Sequence, residues 1–411
     1  MLKPCSYFTR NGNCGSGANC RYQHVIKLYA KINASSPKPQ EQNNNNGNFN
    51  NNYNSNNNYK SYYAVTSVAV WETQGVVKIF TGSKDGCWRL WNYAGNNFVK
   101  EFEHNMGGEV ECLVVASNFL FCGFESISPA LPEITVGMVH AWNLASPNDP
   151  PLEFHMQPNL IPYAHNQAVT DLLVVDGTKI VSGSRDGTIK LWAFDQASNG
   201  GKGGFVLSQS LPGHAREVTG LAVADTMLWS SSTDGSIRIW DMAKNGECQH
   251  SITMASGNNP QAAGSPGAQQ PAGQGHTNAV TGLVPFKSAA GSFILSCSLD
   301  GTVKAWNATS GQCVATESHG EGVVCMNMIA DPNGKPCLLL GLESGNLMVR
   351  NLEPTPKIQQ AFAPIVVLDN EGSVGHYSAV MSVCKGPAGT FYSAGGDGKV
   401  LVFQITGDLG L

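Results

Sequence analysis

The chain has 411 residues, of which only 13 % are charged, and it carries 46 Gly and 16 Phe; that balance suits a turn-rich, well-buried β protein and argues against a helical bundle. A net charge of -5 speaks against wholesale polyanion binding, and no apolar run reaches membrane-spanning length or follows a basic N-terminus as a signal core. A soluble, intracellular protein with no membrane partner is expected.

Charge is distributed unevenly. Residues 1–60 hold seven basic residues against Glu41 alone, a net +6, which leaves -11 for the rest. A nucleic acid should be drawn to the head and repelled by the body. The head also contains Cys5, Cys14, Cys20 and His24 in the spacing C-x8-C-x5-C-x3-H. Three thiolates and one imidazole make a closed tetrahedral set for one structural Zn²⁺. The stretch is too short and polar to fold around its own core, so metal binding would supply the folding free energy, on the order of 10 kcal/mol. A chance grouping of Cys and His is the bland alternative, and it does not explain four ligands in register.

This spacing resembles the CCCH zinc-finger family, whose better-known members bind single-stranded RNA by stacking bases on aromatic side chains. The resemblance implies stacking residues two positions after the second and third cysteines, here Ser16 and Tyr22, so one of the two is kept. Phe8 matches a common family aromatic that packs the finger's small core or meets a base. Lys3, Arg10 and Arg21 are placed to neutralise the phosphates of RNA or DNA. One clear stacking residue, contributing about 1–3 kcal/mol, implies weak binding to a few nucleotides. A structural or protein-binding finger is the alternative.

From about Ser35 to Asn58 the sequence is Asn-rich, with too few apolar residues to offset the entropy of ordering. The expected organisation is a zinc finger over residues 1–27, a flexible linker over 28–62 that lets the finger search space, and one β domain over 63–411. From Val65 onward a unit recurs. Its clear copies are FTGSKDGCWRLW (Phe80 to Trp91), VSGSRDGTIKLW (Val181 to Trp192), SSSTDGSIRIW (Ser230 to Trp240), LSCSLDGTVKAW (Leu295 to Trp306) and YSAGGDGKVLVF (Tyr392 to Phe403). In each, an Asp stands six positions before the terminal aromatic: Asp85, Asp186, Asp234, Asp300 and Asp397. Degenerate copies end at Trp142 and around Ser344 to Arg350, which makes seven.

A period of about 40–50 residues with Gly-His before the unit and Trp at its end resembles the WD-repeat signature. His165, His214, His276 and His376 stand where that signature has its His. The resemblance implies an all-β fold, a seven-bladed WD40 β-propeller, in which His, Asp, a strand Ser or Thr, and Trp form a hydrogen-bonded chain within a blade; His214, Asp234 and Trp240 make up one such set. Single His/Asp pairs suggest catalysis, but their repetition identifies them as buried fasteners, since a buried charge needs partners. The order finger, linker, propeller resembles the plant CCCH zinc-finger WD-repeat family, with a missing Gly-His before the first repeat as its main departure. Tyr59 to Tyr63, the tail after Phe403, or Val25 to Ile32 could close the ring; the sequence does not choose. Long loops are expected at Ser126 to Thr135 and Ala255 to Gln274, and the nine cysteines from Cys87 to Cys384 read as buried thiols without paired spacing.

The function implied is a non-enzymatic adaptor whose finger touches single-stranded RNA or DNA while the propeller holds a protein partner. The runner-up is a substrate receptor of a cullin-type ubiquitin ligase; such receptors carry Trp-Asp-x-Arg, and Trp240-Asp241-Met242-Ala243 lacks the Arg. Catalysis and a small-molecule substrate are not expected, because the chain has no P-loop, no G-x-S-x-G elbow and no carboxylate pair outside the repeat turns, and a fully ligated zinc has no open position.

Overall fold

Valine opens the innermost strand of every repeat. Val65, Val110, Val169, Val218, Val280, Val323 and Val380 are each completely buried, as expected for β-branched residues on a covered pleated surface. The computed structural model describes residues 9, 26–39, 61–73, 75–94, 97–128, 131–156, 163–244, 246–254, 275–352, 364–369, 374–406 and 409. Over these the chain is all-β, a WD40 propeller fold, with a single-turn helix at Ser198–Gly201.

The strands form antiparallel meanders. Four sheets are made of consecutive strands, such as Val218–Ala224, Met227–Ser232, Ile237–Asp241 and Glu247–Ile252. An eight-stranded sheet contains two further meanders, running from Val110 to His155 and from Val169 to Pro212. They meet where Phe205 and Val206 pair in parallel with Phe154 and His155. In the last sheet Val380–Lys385, Thr390–Gly395 and Lys399–Ile405 are joined on the outside by Ile26–Asn33. Neighbouring inner strands contact one another in sequence, and Val380–Lys385 contacts Val65–Thr73.

The N-terminal strand therefore closes the ring, the third of the candidate segments. It runs antiparallel to Lys399–Ile405, from Ile26 beside Ile405 to Asn33 beside Lys399. Ile26, Leu28, Ile32 and Ala34 are buried between the last sheet and its neighbours. This corrects the expected division at residue 28 and the reading of residues 28–62 as a linker. The apolar alternation of IKLYAKIN satisfies an otherwise open sheet edge, and Ala34 N–H donates to Gly398 O at 3.0 Å as the chain leaves it. Pro37 then bridges Tyr62, with Lys38 N–H on Ser61 O at 2.8 Å. The described residues on either side of the Asn-rich stretch, up to 39 and from 61, thus both lie against the propeller; residues 40–60 and 255–274 lie outside the described residues.

Side chains at the start of the inner strands stitch sheet to sheet. Thr66 Oγ1 donates to Val110 O at 2.6 Å, Thr170 to Val218 O and Thr219 to Val280 O at 2.5 Å, and Thr281 to Val323 O at 2.7 Å. Cys112 and Cys325 thiols reach Val169 O and Val380 O at 3.5 and 3.3 Å. Each bond contributes about 1 kcal/mol, and the set repeats around the ring. Of the nine described cysteines, Cys87, Cys112, Cys122, Cys297 and Cys337 are buried and all nine are free.

Candidate functional site

The recurrent polar residues meet at one rim of each sheet, in the turns between second and third strands. Asp234 opens such a turn, and Gly235 follows at φ 81°, a left-handed backbone that only glycine adopts without strain. The Asp234 carboxylate accepts the Ser236 N–H at 2.8 Å and faces His214 Nδ1 at 3.2 Å. Because a carboxylate only accepts, Nδ1 carries the proton, and Nε2 accepts from Ser230 Oγ at 2.7 Å. Ser230 Oγ in turn accepts Trp240 Nε1–H at 2.9 Å. The direction Trp to Ser to His to Asp is fully determined.

The same chain recurs three times. His165 lies 3.2 Å from Asp186 and 2.7 Å from Ser182, which takes Trp192 Nε1–H at 2.8 Å. His276 lies 3.0 Å from Asp300 and 2.7 Å from Ser296, which takes Trp306 Nε1–H at 2.8 Å. His376 lies 2.9 Å from Asp397 and 2.8 Å from Ser393; Phe403 has no N–H, so that chain stops at the serine. Burial lowers the His165 and His214 pKa values despite their carboxylates. Burial opposes the charge on Asp186, Asp234 and Asp300, yet hydrogen bonds from histidine, hydroxyl and main chain hold all three well below the usual carboxylate range.

A Ser-His-Asp order resembles a hydrolytic triad, but Ser182, Ser230, Ser296 and Ser393 have no exposed surface. A substrate carbonyl cannot approach those hydroxyls, and three of the four already accept an indole N–H. These sets are fasteners.

The first sheet departs from the pattern. Trp91 Nε1–H donates to Thr81 Oγ1 at 2.9 Å, but Asp85 is held by Arg89 at 2.7 Å and by the Ser36 N–H at 2.6 Å. Sequence reasoning missed Arg89; Lys190, Arg238 and Lys304 stand at the same place before Trp192, Trp240 and Trp306, so its only signal was the missing Gly-His. The partner serines were equally unnamed, though each stands ten residues before its Trp.

Beside these turns the surface is acidic. Lys84 lies 2.9 and 3.4 Å from Glu109 and Glu111, and Arg185 lies 3.1, 3.1 and 3.6 Å from Glu111, Glu125 and Glu217. Four carboxylates surround two cations. The axial cavity, about 410 Å³, is lined by Thr66, Glu111, Thr170, Asp171, Thr219 and Thr281 among others. Asp171 accepts the Leu172 and Leu221 N–H groups at 2.9 and 2.7 Å, and burial pushes its pKa up to about 7.

The WD domain, G-beta repeat profile matches residues 55–92, 157–193, 205–241, 269–307 and 370–404, the five clear copies of the repeat. These five segments of the chain are WD repeats. The chain is also similar to plant CCCH zinc-finger proteins, nearly end to end in one case. The chain is 26% identical over 405 residues to zinc finger CCCH domain-containing protein 17 of Oryza sativa subsp. japonica, covering 98% of this chain and 72% of that one. It is 27% identical over 169 residues to zinc finger CCCH domain-containing protein 62 of Arabidopsis thaliana, covering 41% and 35%. Among solved structures it is similar to the WD40 beta propeller domain of Doa1, with TM-score 0.56 and 19% identity over 83% of this chain and 93% of that one; such a likeness shows the fold alone. The WD-repeat fold is a scaffold for interaction, and none of the described helices is long and apolar enough to cross a membrane. The expected zinc ligands Cys5, Cys14, Cys20 and His24, and the nucleic-acid residues Lys3, Phe8, Arg10, Arg21 and Tyr22, lie outside the described residues.

Proposed function

We propose that this WD-repeat protein is a non-enzymatic, intracellular adaptor, built as a seven-bladed propeller carrying one CCCH finger. The seven-blade reading takes the eight-stranded sheet as two blades divided at its two-residue parallel seam. Cys5, Cys14, Cys20 and His24 would hold one structural Zn²⁺, and the borderline-soft S₃N donor set suits that ion. Tyr22, with Phe8, Lys3, Arg10 and Arg21, would contact single-stranded RNA.

The observation that carries this reading is the use made of the repeated His and Asp residues: all four pairs are locked in buried chains, so the propeller offers a surface and not a reaction centre. Its turn-bearing face, with four carboxylates around two cations, repels a nucleic acid and suits a protein partner. The nucleic acid is left to the basic head.

Ile26–Asn33 belongs to the last sheet, so the full chain is the proper reagent. Purified protein should contain one zinc per chain and should crosslink to single-stranded RNA with salt-dependent affinity, and Cys14→Ala or Tyr22→Ala should weaken that crosslinking. Zinc-free protein, or crosslinking indifferent to Cys14→Ala, would reject the finger's role.

A further inference from the structure

In the clear repeats the chain turns back at its Asp. Ser83, Ser184 and Ser232, opposite Val65, Val169 and Val218, end their strands, and the next strands begin at Cys87, Thr188 and Ile237. In the second sheet Phe124 holds that place opposite Val110, but pairing between Phe119–Ile127 and Thr135–Asn143 runs on through Glu125 with Gly137, Ser126 with Val136 and Ile127 with Thr135. Those further pairs carry a β arm about 10 Å beyond the level of the Asp turns.

The arm is braced at its base and apolar at its end. Glu125 N–H donates to Glu109 O at 3.0 Å, in the segment before the second sheet, and Gly137 N–H donates to His165 O at 2.9 Å, in the segment leading to the third. Toward the end, Ser128 N–H reaches Ile134 O at 2.9 Å and Ile134 N–H reaches Leu131 O at 3.1 Å. Yet Ile127, Leu131 and Ile134 are 57%, 49% and 44% exposed. Other exposed large apolar side chains fall one at a time along the chain, as at Val76, Phe194 and Val314, and such single residues are ordinary; three on one protrusion mark a contact surface. Held in place beforehand, they lose little entropy when covered.

Charge selects the partner. Alternation along the strand puts Glu125 and Ile127 on one face of the arm, where Glu125 accepts the Thr135 hydroxyl at 2.9 Å. Glu125 belongs to the network in which Glu109, Glu111, Glu125 and Glu217 outnumber Lys84 and Arg185, and the exposed Glu133 stands between Leu131 and Ile134. Surplus negative charge therefore begins two residues, about 7 Å, from the apolar end. It repels a nucleic acid and matches a peptide that sets lysine or arginine beside large apolar side chains.

We propose that this arm docks a protein partner through a basic, apolar segment, whose apolar side chains cover Ile127, Leu131 and Ile134 while its cations meet the carboxylates at Glu125 and Glu133. The proposal rests on the propeller holding a protein partner, and it states where that partner binds and by what chemistry. Residues 129 and 130 lie outside the described residues and are no part of the site.

The test selects random linear peptides displayed on phage against the immobilised full-length protein, then measures fluorescein-labelled copies of the enriched sequences by anisotropy. Enriched peptides should carry net positive charge beside large apolar residues. Ile127→Ser combined with Ile134→Ser should weaken their binding by about tenfold or more at an unchanged urea midpoint, because both side chains are already largely exposed. Glu133→Gln leaves the apolar end intact; it should weaken binding at low salt, lose that effect at high salt, and decides the matter if the double variant is less stable. Peptides that bind the double variant and Glu133→Gln as they bind the parent would overturn the arm and leave the adaptor reading standing. Enriched peptides that are acidic or uncharged would overturn the basic partner. A parent dimer split by the double variant would make the occupant a second copy, and loss of single-stranded RNA binding in that variant would make it RNA; either overturns the proposal. Enrichment of no peptide over the blank support would count against both the arm and a protein partner on the propeller.

Discussion

Arg89 does for Asp85 what histidine does in four other repeats: its guanidinium lies 2.7 Å from the carboxylate, with only 5% and 4% of the two side chains exposed. Burial opposes the charge on Asp85, but Arg89 and the Ser36 amide hold its pKa below the usual carboxylate value. Removing one partner strands a buried charge. Arg89→Met should therefore destabilise the protein by about 3 kcal/mol in urea unfolding, and Asp85→Leu combined with Arg89→Met should recover most of that loss. If the double variant is as weak as the single ones added together, the pair is not the source.

Ser230 serves two neighbours at once, His214 Nε2 at 2.7 Å and Trp240 Nε1 at 2.9 Å. Alanine there leaves a buried donor and a buried acceptor unmet, so Ser230→Ala should cost about 2–3 kcal/mol. Trp240→Phe loses the indole bond and leaves a cavity where the second ring packed, and should cost at least as much. Equilibrium unfolding of the two variants checks the order.

His319 occupies the fastener position of a repeat whose other parts have changed. Leu340 and Ser344 stand where that repeat would have its serine and its aspartate, and both ring nitrogens of His319 are buried without a partner. Burial, helped by the nearby Arg350, lowers its pKa to about 3, and burial lowers that of His140 to about 4. Their unfolded values are about 6.5, so on acidification the unfolded chain takes up the protons first. Stability is thus full above about pH 6.5 and falls as the pH drops toward 4. The Asp186, Asp234 and Asp300 contributions, with depressed folded pKa values, persist until the pH falls below the ordinary carboxylate range. His319→Leu should match or exceed the parent at pH 7 and flatten the loss between pH 6.5 and 4, read as the urea midpoint against pH. An unchanged slope would show that His319 is not its source.

Gly137 allows a close approach that no other residue permits. A Cβ there would stand 1.9 Å from Gln167 O, and Gly137 O already accepts the Ala164 and His165 N–H groups at 2.8 and 3.0 Å. Gly137→Ala should cost about 3 kcal/mol by forcing apart the segment that carries His165. Thermal unfolding reads the effect, and a parent-like midpoint would refute it.

The repeat made most of the fold legible. Six-residue spacing from Asp to aromatic and alternating strands are local patterns, and a blade is built from contacts between strands adjacent in sequence, so periodicity and turn chemistry specify it. His165, His214, His276 and His376 and their aspartates were readable for the same reason. Arg89 was not, because its role depends on Ser36, 53 residues earlier, approaching across the ring closure.

By itself, the sequence determined the propeller, the positions of its fasteners and the basic charge of its head, because each is written in short-range spacing or simple composition. Which segment closes the ring was settled only by tertiary structure. Strand pairing between Ile26–Asn33 and Lys399–Ile405 joins the two ends of the chain, and it is decided by which apolar edge fills the last open ladder, a contest among several plausible segments that no local pattern resolves. That one long-range pairing sets Ile26 beside Ile405 at one end of the last sheet and Asn33 beside Lys399 at the other.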